Sequence, residues 1–342
     1  MAKCTSELRR FRAGAAKTRA SARGTLCRTQ VPMPTVANTP TNLPITPVER
    51  VPSMFKLSVI SDEISQDFQR VVDVCREYQV PLVEPRSVWD TPPHKLSDEQ
   101  LAEMKRILDA AGMGVACIAS PFLKCDLGNE EQYREHLGIL RRCIEMAHFF
   151  GCNIIRGFTF WKTGPAEAVW QQLLDAYAEP IKICEAEDVY IGIENEASTH
   201  IATAAEAERL YQDLASDRVK AIWDPANEVY AEDGELPYPD AYRRMRPYLI
   251  HVHIKDAVRG PDGTRCVPVG IGGYIDYHGQ LQALVDDGYE GACSLETHWR
   301  PQAALDENLL NRPGGSAFSE GGEYASRVCL ENLRELIKSL RL

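Results

Sequence analysis

Four polar residues stand at equivalent places in four apolar runs. Glu194 closes Ile191-Gly192-Ile193-Glu194, and Asp224 closes Ala221-Ile222-Trp223-Asp224. His253 lies in Ile250-His251-Val252-His253-Ile254, and Glu296 closes Cys293-Ser294-Leu295-Glu296. The intervals between them are 30, 29 and 43 residues, about one strand–helix unit each. Three carboxylates and an imidazole gathered without a counter-charge repel one another and resist ionisation. A divalent cation removes that cost. The set is hard and oxygen-rich, which suits Mn²⁺ first, and Mg²⁺, Co²⁺ or Fe²⁺ after it, better than structural zinc with its cysteine and histidine ligands. Taken singly, each residue has an ordinary reading. Asp224-Pro225 is a common turn, and a glutamate ending a strand can cap a helix or sit at a solvated edge. His251 and His253 alternate on one strand, so both face the same side and one of them can be barrel filling. At matching places on four consecutive strands, the four together describe one site.

The elements that would position them recur from Lys56 onward. Strand-like apolar runs lie near 56–61, 80–84, 113–119, 152–158, 188–194, 219–224, 249–255 and 290–296. Between them run segments of helical period at 64–78, 97–111, 130–150, 164–187, 202–214, 237–247, 276–287 and 321–341. Ser97 with Gln100 has the spacing of a capping box, Asp276 is a further N-cap candidate, and Gly112, Gly151 and Gly288 fit helix C-termini. Eight strands alternating with eight helices is the count of a closed (β/α)8 TIM barrel, α/β in class. The rival, an open doubly wound sheet, normally carries a Gly-rich loop after its first strand. Here that strand runs into Asp62-Glu63-Ile64-Ser65-Gln66, without glycine. In a barrel, chemistry sits at the carboxyl ends of the strands, where these four residues fall.

Composition narrows the class. The chain has 342 residues, 44% hydrophobic, 25% charged and 8% aromatic, with a formal net charge of −11. These are values for a water-soluble globular protein, with no apolar run long enough to span a membrane. The acidic balance argues against nucleic acid as partner, with a homo-oligomer left open. Eleven cysteines, an odd number without a C-x-x-C pair, mostly sit singly inside apolar segments. That pattern predicts buried thiols in a reducing, cytoplasmic-type compartment. Residues 1–53 differ from the rest: nine Lys/Arg against Glu7 and Glu49, and a run of prolines from Pro32 to Pro52, without apolar period. They predict a disordered basic, Pro-rich extension ahead of a catalytic barrel domain at 54–342. It reads as an upstream extension with Met54 the true start, as an organelle transit segment, or as a basic arm.

The segments that carry the four residues resemble those of the xylose isomerase-like superfamily of sugar isomerases and epimerases, which also contains the endonuclease IV fold. The resemblance runs in order over 55–342 and rests on Gly192-Ile193-Glu194-Asn195, Trp223-Asp224-Pro225-Ala226-Asn227, His251-Val252-His253-Ile254-Lys255-Asp256, Gly270-Ile271-Gly272-Gly273-Tyr274-Ile275-Asp276 and Ser294-Leu295-Glu296. It implies that Glu194, Asp224, His253 and Glu296 hold one divalent metal, with His251 a neighbour or core residue. By its ketose 3-epimerase branch, it implies that Glu194 and Glu296 act as acid and base on opposite faces of the substrate, and that Arg259 hydrogen-bonds the sugar. Asn227 stands where that branch has histidine and His200 where it has glutamate, two departures at substrate-binding positions.

Lys255 and Glu84 are further candidate substrate contacts, and Arg86 pairs with Glu84 either at the substrate or as a rim ion pair. The chemistry implied is proton abstraction next to a carbonyl of a keto-sugar or related polyol, part of carbohydrate metabolism, with the developing enediolate stabilised by the metal. Isomerisation, epimerisation and dehydration of an inosose-type keto-polyol share that step. An endonuclease IV-like nuclease would need three metals and more histidines than strand three, ending Cys117-Ile118-Ala119-Ser120, supplies. A non-catalytic binding barrel would have no use for four converging ligands. The loop 297–320 is expected to overhang the site or meet another subunit.

Overall fold

The alternation of the sequence is realised as a parallel barrel in the computed structural model, which describes residues 55–302 and 304–341. The disordered extension expected at 1–53 lies outside the described residues. The strands are β1 Lys56–Ile60, β2 Leu82–Glu84, β3 Gly114–Val115, β4 Ile118–Phe122, β5 Ile154–Gly157, β6 Tyr190–Glu194, β7 Val219–Trp223, β8 Leu249–Ile254, β9 Asp256–Gly260, β10 Gly263–Val267 and β11 Ala292–Leu295. All but β9 and β10 belong to one sheet in the order β3-β2-β1-β11-β8-β7-β6-β5-β4. Pairing within it is parallel throughout. β3 and β4 are two pieces of one barrel position, interrupted at Ala116-Cys117. The Ala116 and Ala119 N–H groups donate to the carbonyls of Val83 and Pro85 at 2.9 and 3.0 Å, which brings the ends of the sheet together. Nine strand segments thus fill the eight expected positions.

Helices lie between the strands, each burying one face. Phe68–Glu77 buries Phe68, Val71, Val72, Val74 and Cys75, the spacing of a single helical stripe. The Ser97–Gln100 capping box is formed in full at the start of Asp98–Ala111, and Gly112 ends that helix in the left-handed region at φ 65°. Asp276 accepts from the Gly279 N–H at the start of Tyr277–Asp286. Barrel interiors admit few large residues at one level. A Cβ on Gly192 would stand 2.6 Å from Ile222 Cγ1, so only glycine lets β6 and β7 pack at the observed separation.

Three local expectations are corrected. The helix expected over 164–187 is two helices, Trp170–Ala176 and Ala178–Glu187, with Pro180 in the first turn of the second, where proline is tolerated but an unbroken helix is not. A helix at Pro225–Tyr230 follows β7 at once, with Asp224 as N-cap and Pro225 at its first position. β9 and β10 form an antiparallel hairpin directly after β8, in a stretch for which neither strand nor helix was expected. Its turn residues Pro261-Asp262 between Gly260 and Gly263 are hairpin signals, but the flanking residues Val258-Arg259 and Thr264-Arg265-Cys266 lack a regular apolar alternation.

Candidate active site

Each of the four candidate ligands is delivered by the end of a barrel strand. Glu194 ends β6, Asp224 follows β7, His253 lies in β8 and Glu296 follows β11. They offer ligand atoms that all lie within 4.8 Å of one another, and all four residues are buried. Local structure aims them. The side chain of Asn195 ties the two neighbouring strand ends together: its Nδ2 donates to the Asp224 carbonyl at 2.9 Å, and its Oδ1 accepts from the Asp224 N–H at 3.0 Å. Asp224 Oδ1 accepts from the N–H groups of Ala226 and Asn227 at 2.8 and 3.1 Å as the helix cap. That fixes the carboxylate so that Oδ2 turns to the cluster. Asn227 Nδ2 donates to Glu194 Oε1 at 3.2 Å and to the Asn195 carbonyl at 2.8 Å.

Positive groups crowd the carboxylates from the outside. Lys255 Nζ lies 2.7 Å from Asp224 Oδ2 and 2.8 Å from Glu296 Oε2. Its direction to Asp224 is off the hydrogen-bonding line, so Asp224 Oδ2 is buried in a close ion pair yet lacks a well-directed partner among the described residues. Arg86 donates to Glu296 Oε1 at 2.6 Å, to Asp62 at 2.9 Å and to Glu63 at 2.8 Å, while Arg156 donates to Glu194 Oε2 at 3.2 Å. His298 Nε2 lies 3.3 Å from Glu63 and 3.4 Å from Glu296. Burial and the neighbouring Glu296 and Glu194 push the Asp224 carboxyl up to about 7 against the pull of Lys255. Burial would raise Glu296 as well, but Lys255, His253 and Arg86 outweigh it and hold it well below the carboxylate range, while burial holds the His298 imidazole itself well below its usual value. Burial also opposes charge on His253, and Glu194 and Glu84 overcome it, raising the imidazole well above its usual value.

This electrostatic imbalance, with one carboxyl forced towards neutrality and one oxygen poorly satisfied, is what a bound cation would relieve. The donors, three carboxylates and an imidazole, suit a hard divalent ion. The residues present therefore fit such a group.

The other sequence candidates divide. Lys255 and Asn227 stand at the cluster and line a cavity of about 250 Å³, with Glu196, Tyr230, His298 and Asn311. Glu84 is fully buried and joined to His251 and His253 rather than opening to that cavity. Arg259 is exposed on β9, where it donates to the carbonyls of Val229 and Ala231 at 2.9 and 2.8 Å, tying the hairpin to the end of helix Pro225–Tyr230. His200 is buried with neither ring nitrogen hydrogen-bonded among the described residues, and the charged groups beside it are Lys162 and Glu206, not the four ligands. Arg86 proves to be a buried contact of Glu296, not a rim pair. The expected overhang is present: Leu310 and Asn311 of the 297–320 segment line the cavity, and the Asn311 carbonyl accepts from Lys124 Nζ at 3.0 Å.

Sequence reading passed over Asp62, Glu63, Arg156 and His298. Arg156 carried a signal, a lone cation inside the apolar run Asn153-Ile154-Ile155-Arg156-Gly157-Phe158. Asp62 and Glu63 carried one as well, two acids at the exit of the first strand.

Residues 72–335 match the family model described as xylose isomerase-like TIM barrel. Among curated proteins, the chain is 27% identical over 156 residues to an inosose dehydratase of Klebsiella pneumoniae (strain 342), covering 41% of this chain and 51% of that protein. It is likewise 27% identical over 159 residues to an inosose dehydratase of Histophilus somni (strain 129Pt), covering 42% and 52%. The chain thus spans about half the length of the curated relatives it matches. Among solved structures, D-psicose 3-epimerase with D-tagatose from Clostridium cellulolyticum H10 superposes with a TM-score of 0.61 at 17% identity, over 83% of this chain and 99% of that one. A xylose isomerase-like TIM barrel protein of Mycobacterium smegmatis in complex with magnesium gives 0.57 at 18% identity, over 82% and 99%. At such identities these structures speak for the fold.

Proposed function

Because the chain belongs to the xylose isomerase-like TIM-barrel family, we propose that it is a divalent-metal-dependent isomerase or epimerase of a keto-sugar or related polyol, working by proton transfer next to the carbonyl. The observation that carries this reading is the convergence of Glu194, Asp224, His253 and Glu296 to within 4.8 Å from the ends of four neighbouring strands. Those four residues would hold the ion. When bound, it would supply electrophilic stabilisation of the negative charge that develops on the carbonyl oxygen.

The remaining work falls to the chain. Glu194 and Glu296 come from non-adjacent strands, with β7 and β8 between them, so they can address a substrate from two sides. One takes the α-proton and the other returns it on the opposite face. Asn227 restrains Glu194, and Arg86 with Lys255 restrains Glu296, so both carboxylates are held in place before substrate arrives. Asn311 and Leu310, from the overhanging segment, help to keep water from the cavity.

A second reading is favoured by the curated relatives, which are inosose dehydratases. In it the α-proton leaves as before, the electron pair forms a carbon–carbon double bond, and the β-hydroxyl departs with a proton as water. The resulting enol then tautomerises.

The test is Mn²⁺ calorimetry on the wild type and Glu296→Gln, followed by incubation of 2-keto-myo-inositol and D-fructose in heavy water. One ion bound by the wild type and about 10-fold or more weaker binding in the variant is expected. So is metal-dependent deuterium uptake at the carbon beside the carbonyl. Deuterium uptake without loss of water selects isomerisation or epimerisation, and loss of water selects dehydration. Equal binding in both proteins, or none in either, sinks the one-metal site.

A further inference from the structure

Glu84 ends β2 and reaches across the barrel to β8, where its two oxygens meet two different imidazoles. Oε2 lies 2.8 Å from His251 Nε2, and Oε1 lies 3.3 Å from His253 Nε2. All three residues are fully buried. His251 Nε2 is also 3.0 Å from Ser294 Oγ. The opposite ring nitrogen of His253, Nδ1, faces the cluster, 3.1 Å from Glu194 Oε1 and 3.8 Å from Glu296 Oε2. We propose that Glu84 is a positioning residue which accepts the His253 Nε2–H and so presents the Nδ1 lone pair to the cation, with His251 holding Glu84 in place. The inference rests on the proposed function in one respect, that a cation occupies the cluster.

The physical reason is the asymmetry of neutral imidazole. One nitrogen carries the proton and the other the lone pair, and the hydrogen bond made by the first decides which one is free to ligate. A carboxylate accepts hydrogen bonds and donates none when ionised, and one faces each nitrogen, Glu84 at Nε2 and Glu194 at Nδ1; a cation taking Nδ1 would leave Glu84 to hold the remaining proton on Nε2. Glu84 cannot turn away, because its second oxygen is engaged by His251. The two rings are 5.4 Å apart and stand nearly perpendicular at 89°, so the His251 edge limits rotation of His253 as well. This also gives a role to the first histidine of His251-Val252-His253. It does not reach the cation but braces the residue that orients the second.

Glu84, His251 and His253 could instead be ligands of a second ion. The geometry points the other way. The separation of 2.8 Å is that of a direct hydrogen bond, and 3.3 Å is that of a long one. Such an ion would also compete with the first for His253.

The experiment is Mn²⁺ calorimetry on the full chain as wild type, Glu84→Gln, His253→Gln and the double variant, with ¹⁵N correlation spectra of the His253 ring in the metal-free wild type. Glu84→Gln is expected to bind one ion 10- to 100-fold more weakly than the wild type. In the His253→Gln background the same change is expected to alter affinity by no more than about 2-fold, because Glu84 acts through His253. Undiminished affinity in Glu84→Gln overturns the proposal. So does an equal loss in both backgrounds, which marks a general structural effect, and so does a fall from two ions to one, which marks an ion site. If the wild type binds no Mn²⁺ at all, it is the metal of the proposed function that fails. Recorded at a pH high enough to leave the imidazole neutral, the ring spectrum then decides the role of Glu84: a proton on Nε2 supports it, and a proton on Nδ1 overturns it.

Discussion

Asp224 shows how much one side chain is asked to do here. One oxygen caps helix Pro225–Tyr230 and the other faces the cluster beside Lys255, so the turn role and the site role of this residue are the same placement. Lys255 is a positive group shared by Asp224 and Glu296, with its ammonium 2.7 and 2.8 Å from them. Removing one member of a buried charge set leaves the others uncompensated, at a cost of about 3 kcal/mol. Lys255→Met is therefore expected to lower the unfolding free energy of the metal-free chain by roughly that amount in urea. Added Mn²⁺ should then stabilise the variant more than the wild type, since the ion supplies the missing charge. A metal-free variant as stable as the wild type would show that the ammonium is not compensating these carboxylates.

Among the elements, the helix starts are the clearest case of local chemistry deciding structure. The Ser97 hydroxyl accepts from the Gln100 N–H at 3.2 Å while the Gln100 side chain accepts from the Ser97 N–H at 2.9 Å. Ser97→Ala is expected to cost about 1 kcal/mol in equilibrium denaturation without changing Mn²⁺ affinity, because the helix it starts contributes no ligand. Glu228, inside the short helix after β7, works against its surroundings. Its oxygens accept from the N–H groups of Ala204 and Glu235, both at 2.8 Å, but burial pushes the carboxyl up to about 7 from 4.5. Between those two values the folded chain keeps a proton that the unfolded chain has released. Stability contributed by this group therefore falls as pH rises from about 4.5 to about 7, and levels off above. Glu228→Gln should flatten that slope, so that the wild type loses up to about 3 kcal/mol more than the variant between pH 4.5 and pH 7.5. Parallel pH profiles for the two proteins would rule this out.

For the molecule as a whole, burial decides the chemistry of the thiols and the visibility of the site. Cys75, Cys143, Cys293 and Cys329 are buried in the core, and burial raises each thiol, Cys75, Cys143 and Cys329 to about 12. A thiol reagent at pH 8 should modify these four only as fast as the chain unfolds, read by peptide mass mapping, and rapid labelling of the native protein would contradict their burial. Among the described residues, no helix is long and apolar enough to cross a membrane.

The barrel was legible from the chain alone because parallel strands buried on both faces read as apolar runs, and helices covering them read as stripes of period 3.6. The four-residue cluster was legible for the same reason: in a barrel, a polar residue at the end of a strand has a known destination. Sequence also reached the capping box at Ser97, which depends on neighbours three residues apart. Tertiary structure alone decided the contacts between residues far apart in the chain. It joined Arg86 to Glu296 across 210 residues and Glu84 to His253 across 169, and it turned Arg259 to the carbonyls of Val229 and Ala231. Which of two exposed-looking arginines enters a barrel, and which of two alternating histidines meets the cluster, depends on the register between strands. Register is settled by packing across the whole sheet, which no local spacing encodes.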